Sequence, residues 1–374
     1  MNISTTVFVG IIASGLFIVF IVLSLLAIGF SVWKRREDTI KARSRDTVRQ
    51  KLFEQQERAN PEWTQWVDSL SATERENLIA VLDRYLRVVE GEQRETFLDV
   101  AAALGLGERS DAALEQSAVV PRLRALATLA MLDYPISVDR LFETCSDTQR
   151  TREAAGRLLY ERRDEYENAA RLGSELILWD GNHPMTIYGL ETLAELNTGT
   201  ETPLLYQAMD SISVWKESVV IQVCFVLEHT EQIDPDAPIG WLFPLLEHES
   251  STVRTAAVRA FKQQGWRDTV RNRLDLRSLI TDNAPNVRQA TYEVLTYWGD
   301  EQAREYLEWA TITEADERCQ LVAIRGLLAL ETPREGFSDQ IGLRKAWHWV
   351  EAEIAVSDRQ RIRTSPDTNL EQLP

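Results

Sequence analysis

The chain has 374 residues, 44% of them hydrophobic, with 41 basic and 58 acidic side chains and a net charge of −17. That much apolar material excludes wholesale disorder, and the acid excess argues against a general nucleic-acid binder, which needs a basic face against the phosphates. Three cysteines cannot build a disulfide framework.

The first 33 residues carry no charged side chain, and Val7 to Trp33 is a run of 27 uncharged residues. A membrane span needs about 20 apolar residues at 1.5 Å each, so this run is long enough with some tilt. A cleaved signal peptide has its positive charge before the apolar core. Here MNISTT precedes the run without a base, and Lys34, Arg35 and Arg36 follow it. The positive-inside rule then puts the N-terminus outside and the remainder in the cytoplasm, with Trp33 as an interfacial anchor beside the three bases. The expectation is a single-pass membrane protein with an anchor over 1–33.

Residues 34–58 hold nine Lys/Arg and five Asp/Glu without Gly or Pro, and Asn60-Pro61 ends the run. They predict a basic helical stalk over 34–60, attracted to anionic headgroups. The chain from residue 59 onward has 32 basic and 53 acidic side chains. The body is thus more acidic than the whole, and the anionic leaflet repels it.

From Pro61 the apolar residues recur at helical spacing in segments of 10–16, with almost no alternating pattern. Ser71-Ala-Thr-Glu74 is a capping box opening a helix over 73–89, with Leu78, Val81, Leu82, Tyr85 and Leu86 on one stripe. Gly105-Leu-Gly107 reads as a helix terminator. Further on, the chain repeats itself. Val253–Phe261, Val287–Leu295 and Cys319–Leu327 align at offsets of 34 and 32, sharing Val-Arg-x-Ala or Ala-aliphatic-Arg. Weaker copies give helix starts near 122, 151, 185, 217, 252, 286 and 318. Partner helices fall between them at 138–144, 165–177, 203–210, 241–247, 269–280 and 301–309. Each unit is a helical hairpin, and the small residues Ala154, Ala155, Gly156, Ala256, Ala257 and Ala290 suit helices held between two neighbouring layers.

This pattern resembles HEAT repeats, in particular the short HEAT-like repeats of phycobilin lyases, over residues 90–331. The resemblance implies an α-solenoid of about seven or eight hairpins behind the membrane helix. It also implies an N-cap at Asp147, Ser250 or Ser251, and Asn286. Arg152, Arg254 and Arg288 would pair with acids of an adjacent repeat. Cys319-Gln320 departs from the pattern and interrupts such a ladder. Tetratricopeptide repeats share the period, but their Trp-x-x-Leu-Gly-x-x-Tyr signature does not occur. An extra helical pair over 61–89 and a last helix over 341–356 cap the array, with Trp347, Val350 and Ile354 sealing its end. The polar segment 357–374 is expected to be disordered.

The chain holds no motif that names a reaction. His183, His229, His248 and His348 lack metal-ligand spacing, and no CxxC, HExxH, Walker A, GxGxxG or GxSxG occurs. Asp234-Pro-Asp-Ala-Pro238 lacks the ligand positions of a calcium loop and reads as a turn between repeats. No catalytic residue, metal or cofactor is therefore assigned. The expected function is a membrane-anchored scaffold or adaptor for a protein partner, by analogy a membrane enzyme complex such as a glycosyltransferase. The alternatives are a lyase-like enzyme acting on a small molecule and a nucleic-acid adaptor. The partner-binding candidates are Arg259 and Arg325 on the second helices, and Trp347 and Trp349, which face different sides of one helix. Only six of the 41 bases are Lys, and an acidic, Lys-poor surface suits a high-salt cytoplasm.

Overall fold

A computed structural model describes Leu23 and residues 44–58, 61–199, 202–230, 233–331 and 341–364, the last segment with side chains over 343–356. The described residues are all-helical, with no strand. No helix among them is long and apolar enough to cross a membrane. Apart from Leu23, the anchor expected over 1–33 lies outside the described residues, and so do Trp33, Lys34, Arg35 and Arg36. Two compact units divide at Ile136 and Ser137.

The first unit contains α1 (44–56), α2 (Trp63–Ser69), α3 (Ala72–Leu86), α4 (Glu92–Ala103), α5 (Leu106–Ala113) and α6 (Val119–Met131). The capping box forms as expected. Ser71 Oγ accepts from the Glu74 amide while the Glu74 carboxylate accepts from the Ser71 amide at 2.9 Å. A hydrogen bond from the Lys51 ammonium, then those from Ser71, hold the Glu74 carboxyl at about 2. Leu78 and Leu82 are buried with Val48 and Leu52 of α1 and with Phe97 and Val100 of α4. The basic segment expected as a stalk therefore enters the core by residue 48. Its apolar residues Val48 and Leu52, one turn apart, are the signal that its net charge obscured. Gly105 (φ +62) ends α4, but the polar stretch after it re-enters helix at once as α5.

The second unit is a series of hairpins. Its first helices are α7 (Val138–Cys145), α9 (Ala169–Ile177), α11 (Pro203–Ser211), α13 (Leu242–Leu245), α15 (Asp268–Arg273) with α16 (Leu276–Ile280), and α18 (Glu301–Thr313). Its second helices are α8 (Gln149–Glu161), α10 (Ile187–Leu196), α12 (Glu217–Glu228), α14 (Ser251–Ala260), α17 (Pro285–Trp298) and α19 (Glu317–Ala329). A last helix, α20, runs Ile341–Thr364. Each second helix packs on the next, from α8 to α20, and one continuous core runs from Ile177 to Val350.

The second helices start within about two residues of the expected positions, and so do the first helices apart from α9, with one stretch broken in two. The stretch expected as one helix over 269–280 breaks into α15 and α16, because Leu274 is extended and Asp275 caps anew by accepting from the Ser278 amide at 3.1 Å. The helix expected from residue 165 begins only at Ala169, after Asn168 in the left-handed region (φ +58). The last helix passes Val356 and reaches Thr364, since nothing breaks it before Ser365-Pro366.

The three arginines of the expected ladder pair as expected, while α10 and α12 carry Leu190 and Val220 at the corresponding register. Arg152, Arg254 and Arg288 each stand four residues after the N-cap of a second helix. Each donates to the carbonyl six residues back, of Ser146, His248 and Asp282, at 2.7–2.8 Å. Each also meets an acid of the next hairpin. Arg152 is 3.1 Å from Asp180, and Arg254 and Arg288 are bidentate to Asp282 and Glu314 at 2.8–2.9 Å. Ser250 stands at the N-cap of α14 as expected, without a side-chain cap bond, and the other two caps differ. Thr148, not Asp147, caps α8, and Ala284 stands at the N-cap of α17. Asn286 lies inside α17 and donates instead to Thr255 Oγ1 at 2.8 Å. Pro285 explains this, because a proline at the first helical position shifts the start upstream. At Gln320 the ladder stops, as expected, and the amide donates to the Thr311 carbonyl at 3.0 Å.

Candidate functional site

The expected partner-binding arginines are engaged within the molecule. Arg259 pairs with Glu293 of the next second helix at 3.1 Å, and Arg325 with Glu353 of α20 at 2.7 Å. Arg157 likewise pairs with Glu195. All stand nine residues after an N-cap or on the helix that follows, forming a row of alternating sign across the second helices. The sequence signal was there to find: Glu293 falls midway between Arg259 and Arg325. Trp347 is only 1% exposed and closes the core at α20, so its indole surface is unavailable to a partner, whereas Trp349 is 67% exposed.

The cysteines are buried. Burial pushes the Cys224 thiol up to about 12, and burial followed by the charges of Glu314 and Asp316 does the same at Cys319. Among the described residues no group of three His, Cys, Asp or Glu is placed to hold a metal ion. In the loop at 234–238, the Arg267 guanidinium donates to the carbonyls of Asp234 and, at 3.2 Å, Ala237. A cation thus already satisfies the carbonyls that an ion loop would offer.

A concave feature lies on the first helices, between α9 and α11, where no candidate was expected. It encloses about 1280 Å³. Its aromatic surface comes from Tyr166, Trp179, Tyr206 and Trp215, and its charges from Arg163 and Arg171 against Asp164, Glu175, Asp180, Asp210 and Asp234. Trp179 is 53%, Tyr206 49% and Val214 74% exposed. Trp179 rests edge-on against Phe142 at 5.4 Å, which fixes its ring while leaving one side open.

Local sequence builds this cleft. Gly181 (φ +58) turns the chain after α9, and Trp215 closes over it so tightly that a Cβ there would lie 2.0 Å from the indole. The Lys216 amide donates to the Gly181 carbonyl at 2.9 Å, joining the turn after α9 to the turn after α11. Asn197, fully buried, ties the three helices together. Its amide donates to Ser174 Oγ at 3.1 Å and to the Leu193 carbonyl at 2.8 Å, and its carbonyl accepts from the Leu204 amide at 2.8 Å.

That last bond has a consequence at Thr202, the N-cap residue of α11. An N-cap hydroxyl ordinarily accepts from the second or third amide of its helix. Here Pro203 supplies none, Asn197 takes Leu204, and the Leu205 amide bonds the Thr202 carbonyl. The Thr202 hydroxyl is left 1% exposed on the cleft wall with no hydrogen-bond partner among the described residues. Glu175 and Asp210 likewise form no ion pair among the described residues. Asp180 differs, pairing with Arg152 and, at 3.0 Å, with His183. Burial alone raises its carboxyl, and the bonds from the Asn182 amide and His183 with the charge of Arg152 bring it below its ordinary value.

Protein-family models, curated proteins and solved structures give no match to this chain.

Proposed function

We propose that this chain is a membrane-anchored adaptor: a single-pass helix followed by a cytoplasmic array of HEAT-like hairpins that holds a protein partner and performs no reaction of its own. The cleft between α9 and α11 carries the reading. Small-molecule sites are about 300–1,000 Å³ and bury most of their ligand. A cleft of about 1280 Å³ walled by half-exposed rings suits a segment of polypeptide better. Stacked hairpins with ion-paired ladders support the array, since each repeat is fixed only by its neighbours and presents extended surface. The uncharged run over 7–33, with Lys34, Arg35 and Arg36 behind it, supports the anchor and its orientation. An anchor confines the protein to a membrane surface, which favours a partner held at that membrane.

Affinity purification of the full chain from a gentle nonionic-detergent extract is the test. The expected result is one partner at a stoichiometric ratio, lost when residues 137–364 are deleted while the remaining chain stays in the membrane fraction. Recovery of the chain alone, across several detergents, would overturn the reading.

A further inference from the structure

We propose that the cleft between α9 and α11 docks a basic segment of the partner, with a Lys or Arg side chain held against Trp179 and Tyr206 and countered by Glu175 and Asp210. This rests on the adaptor reading and adds to it the surface and the chemistry of the ligand.

Two independent features converge on a cation. The aromatic faces come first. Rings present negative π-faces, and a cation above them is attracted, the more so when it is desolvated. Within this molecule, rings already serve arginines in that way: Arg163 lies 5.3 Å from the Tyr160 ring centroid and Arg271 lies 4.3 Å from that of Trp298. Trp179 and Tyr206, both on the cleft, are about half exposed.

The second feature is charge. Five carboxylates and two guanidiniums line the cleft. Asp180 is engaged by Arg152 and His183, but Glu175 and Asp210 meet no base among the described residues. On the second helices, by contrast, the row of Glu195, Glu293 and Glu353 meets arginines. An anionic ligand, whether phosphate, nucleic acid or acidic lipid headgroup, would face this excess unfavourably.

The test uses the full chain in nonionic detergent and a fluorescent 12-residue peptide of alternating lysine and leucine, with glutamate replacing lysine in a second peptide. The lysine peptide is expected to bind and the glutamate peptide not to. Glu175→Gln with Asp210→Asn weakens binding tenfold or more, and Trp179→Ala does the same. Glu95→Gln with Glu305→Gln removes equal charge elsewhere and changes affinity less than twofold. Equal loss in the Glu95/Glu305 control, equal binding of both peptides, or undiminished binding by Trp179→Ala would each overturn the proposal. If no peptide binds yet a stoichiometric partner still co-purifies, the docking assignment fails and the adaptor reading stands. If the peptide binds as expected but no partner co-purifies, the adaptor reading fails instead.

Discussion

Arg288 and Arg259 both reach from one second helix to a carboxylate beyond it, yet their surroundings make them energetically unlike. The Arg288 and Glu314 side chains are 15% and 4% exposed, with Tyr292 Oη donating to the same carboxylate at 2.9 Å. Arg259 and Glu293 are 41% and 48% exposed. Removing one member of a buried pair leaves an uncompensated charge and costs about 3–5 kcal/mol, whereas an exposed pair contributes about 0.2–1 kcal/mol. In urea unfolding, Arg288→Ala is expected to lose several kcal/mol and Arg259→Ala less than about 1. Equal losses would mean that the ladder does not carry the fold. The same pair gives a pH dependence. Burial alone raises the Glu314 carboxyl, but hydrogen bonds from Arg288, the Asp316 amide and Tyr292 outweigh it and leave it below its ordinary value. Asp282 is lowered in the same way, burial opposed by Arg254 and the Ala284 amide. An acid lowered on folding contributes stability above its unfolded value, about 4 for Asp and Glu, and loses it as pH falls through the folded value. Wild-type stability should therefore hold from pH 7 to about 5 and decline below that. In Arg288→Ala the strongest of the bonds that oppose burial is gone, so Glu314 sits higher and the variant's deficit relative to wild type should shrink between pH 7 and pH 4. A constant deficit would contradict this.

At the scale of elements, the hairpins are held by close approach as well as by charge. A Cβ on Gly156 would lie 2.8 Å from Ile177 and 3.2 Å from the Gly173 carbonyl, and one on Gly173 would lie 2.8 Å from Leu196. α8, α9 and α10 thus meet where two glycines remove the side chains between them. Overpacking of this kind costs about 1–3 kcal/mol. Gly156→Ala should fall in that range in thermal unfolding even though alanine favours helix, and a stabilised variant would show that the layers can move apart. Second helices were legible in the sequence because a buried helix, flanked on two sides, must repeat its small and apolar residues. Arg152, Arg254 and Arg288 were legible with them, because the ladder fixes an arginine at one register. First helices were legible too, except where a single Asp275 or Asn168 interrupts a helix packed on fewer neighbours. The cleft was hidden for a different reason. It depends on Trp179, Thr202 and Tyr206 meeting across two hairpins, and on Asn197 taking a bond from a residue seven positions on. No local pattern records that.

At the scale of the whole molecule, charge separates the chain into a start without charge, a short basic run and an acidic remainder. With a net charge of −17, self-repulsion opposes compactness and salt relieves it, the Debye length falling from about 10 Å at 0.1 M to about 3 Å at 1 M. The unfolding midpoint should rise between low salt and 1 M KCl, and an unchanged midpoint would remove the case for adaptation to high salt. The proposed partner adds positive charge to this acidic surface, so its association should be fast at low salt and slow as salt rises. The most direct measurement is crosslinking in the intact host membrane, with a photoreactive residue at Tyr206 in the cleft or at Glu293 on the second-helix row. The expected result is a discrete adduct from Tyr206, abolished by Glu175→Gln with Asp210→Asn, and none from Glu293. An adduct from Glu293 with nothing from Tyr206 would contradict it.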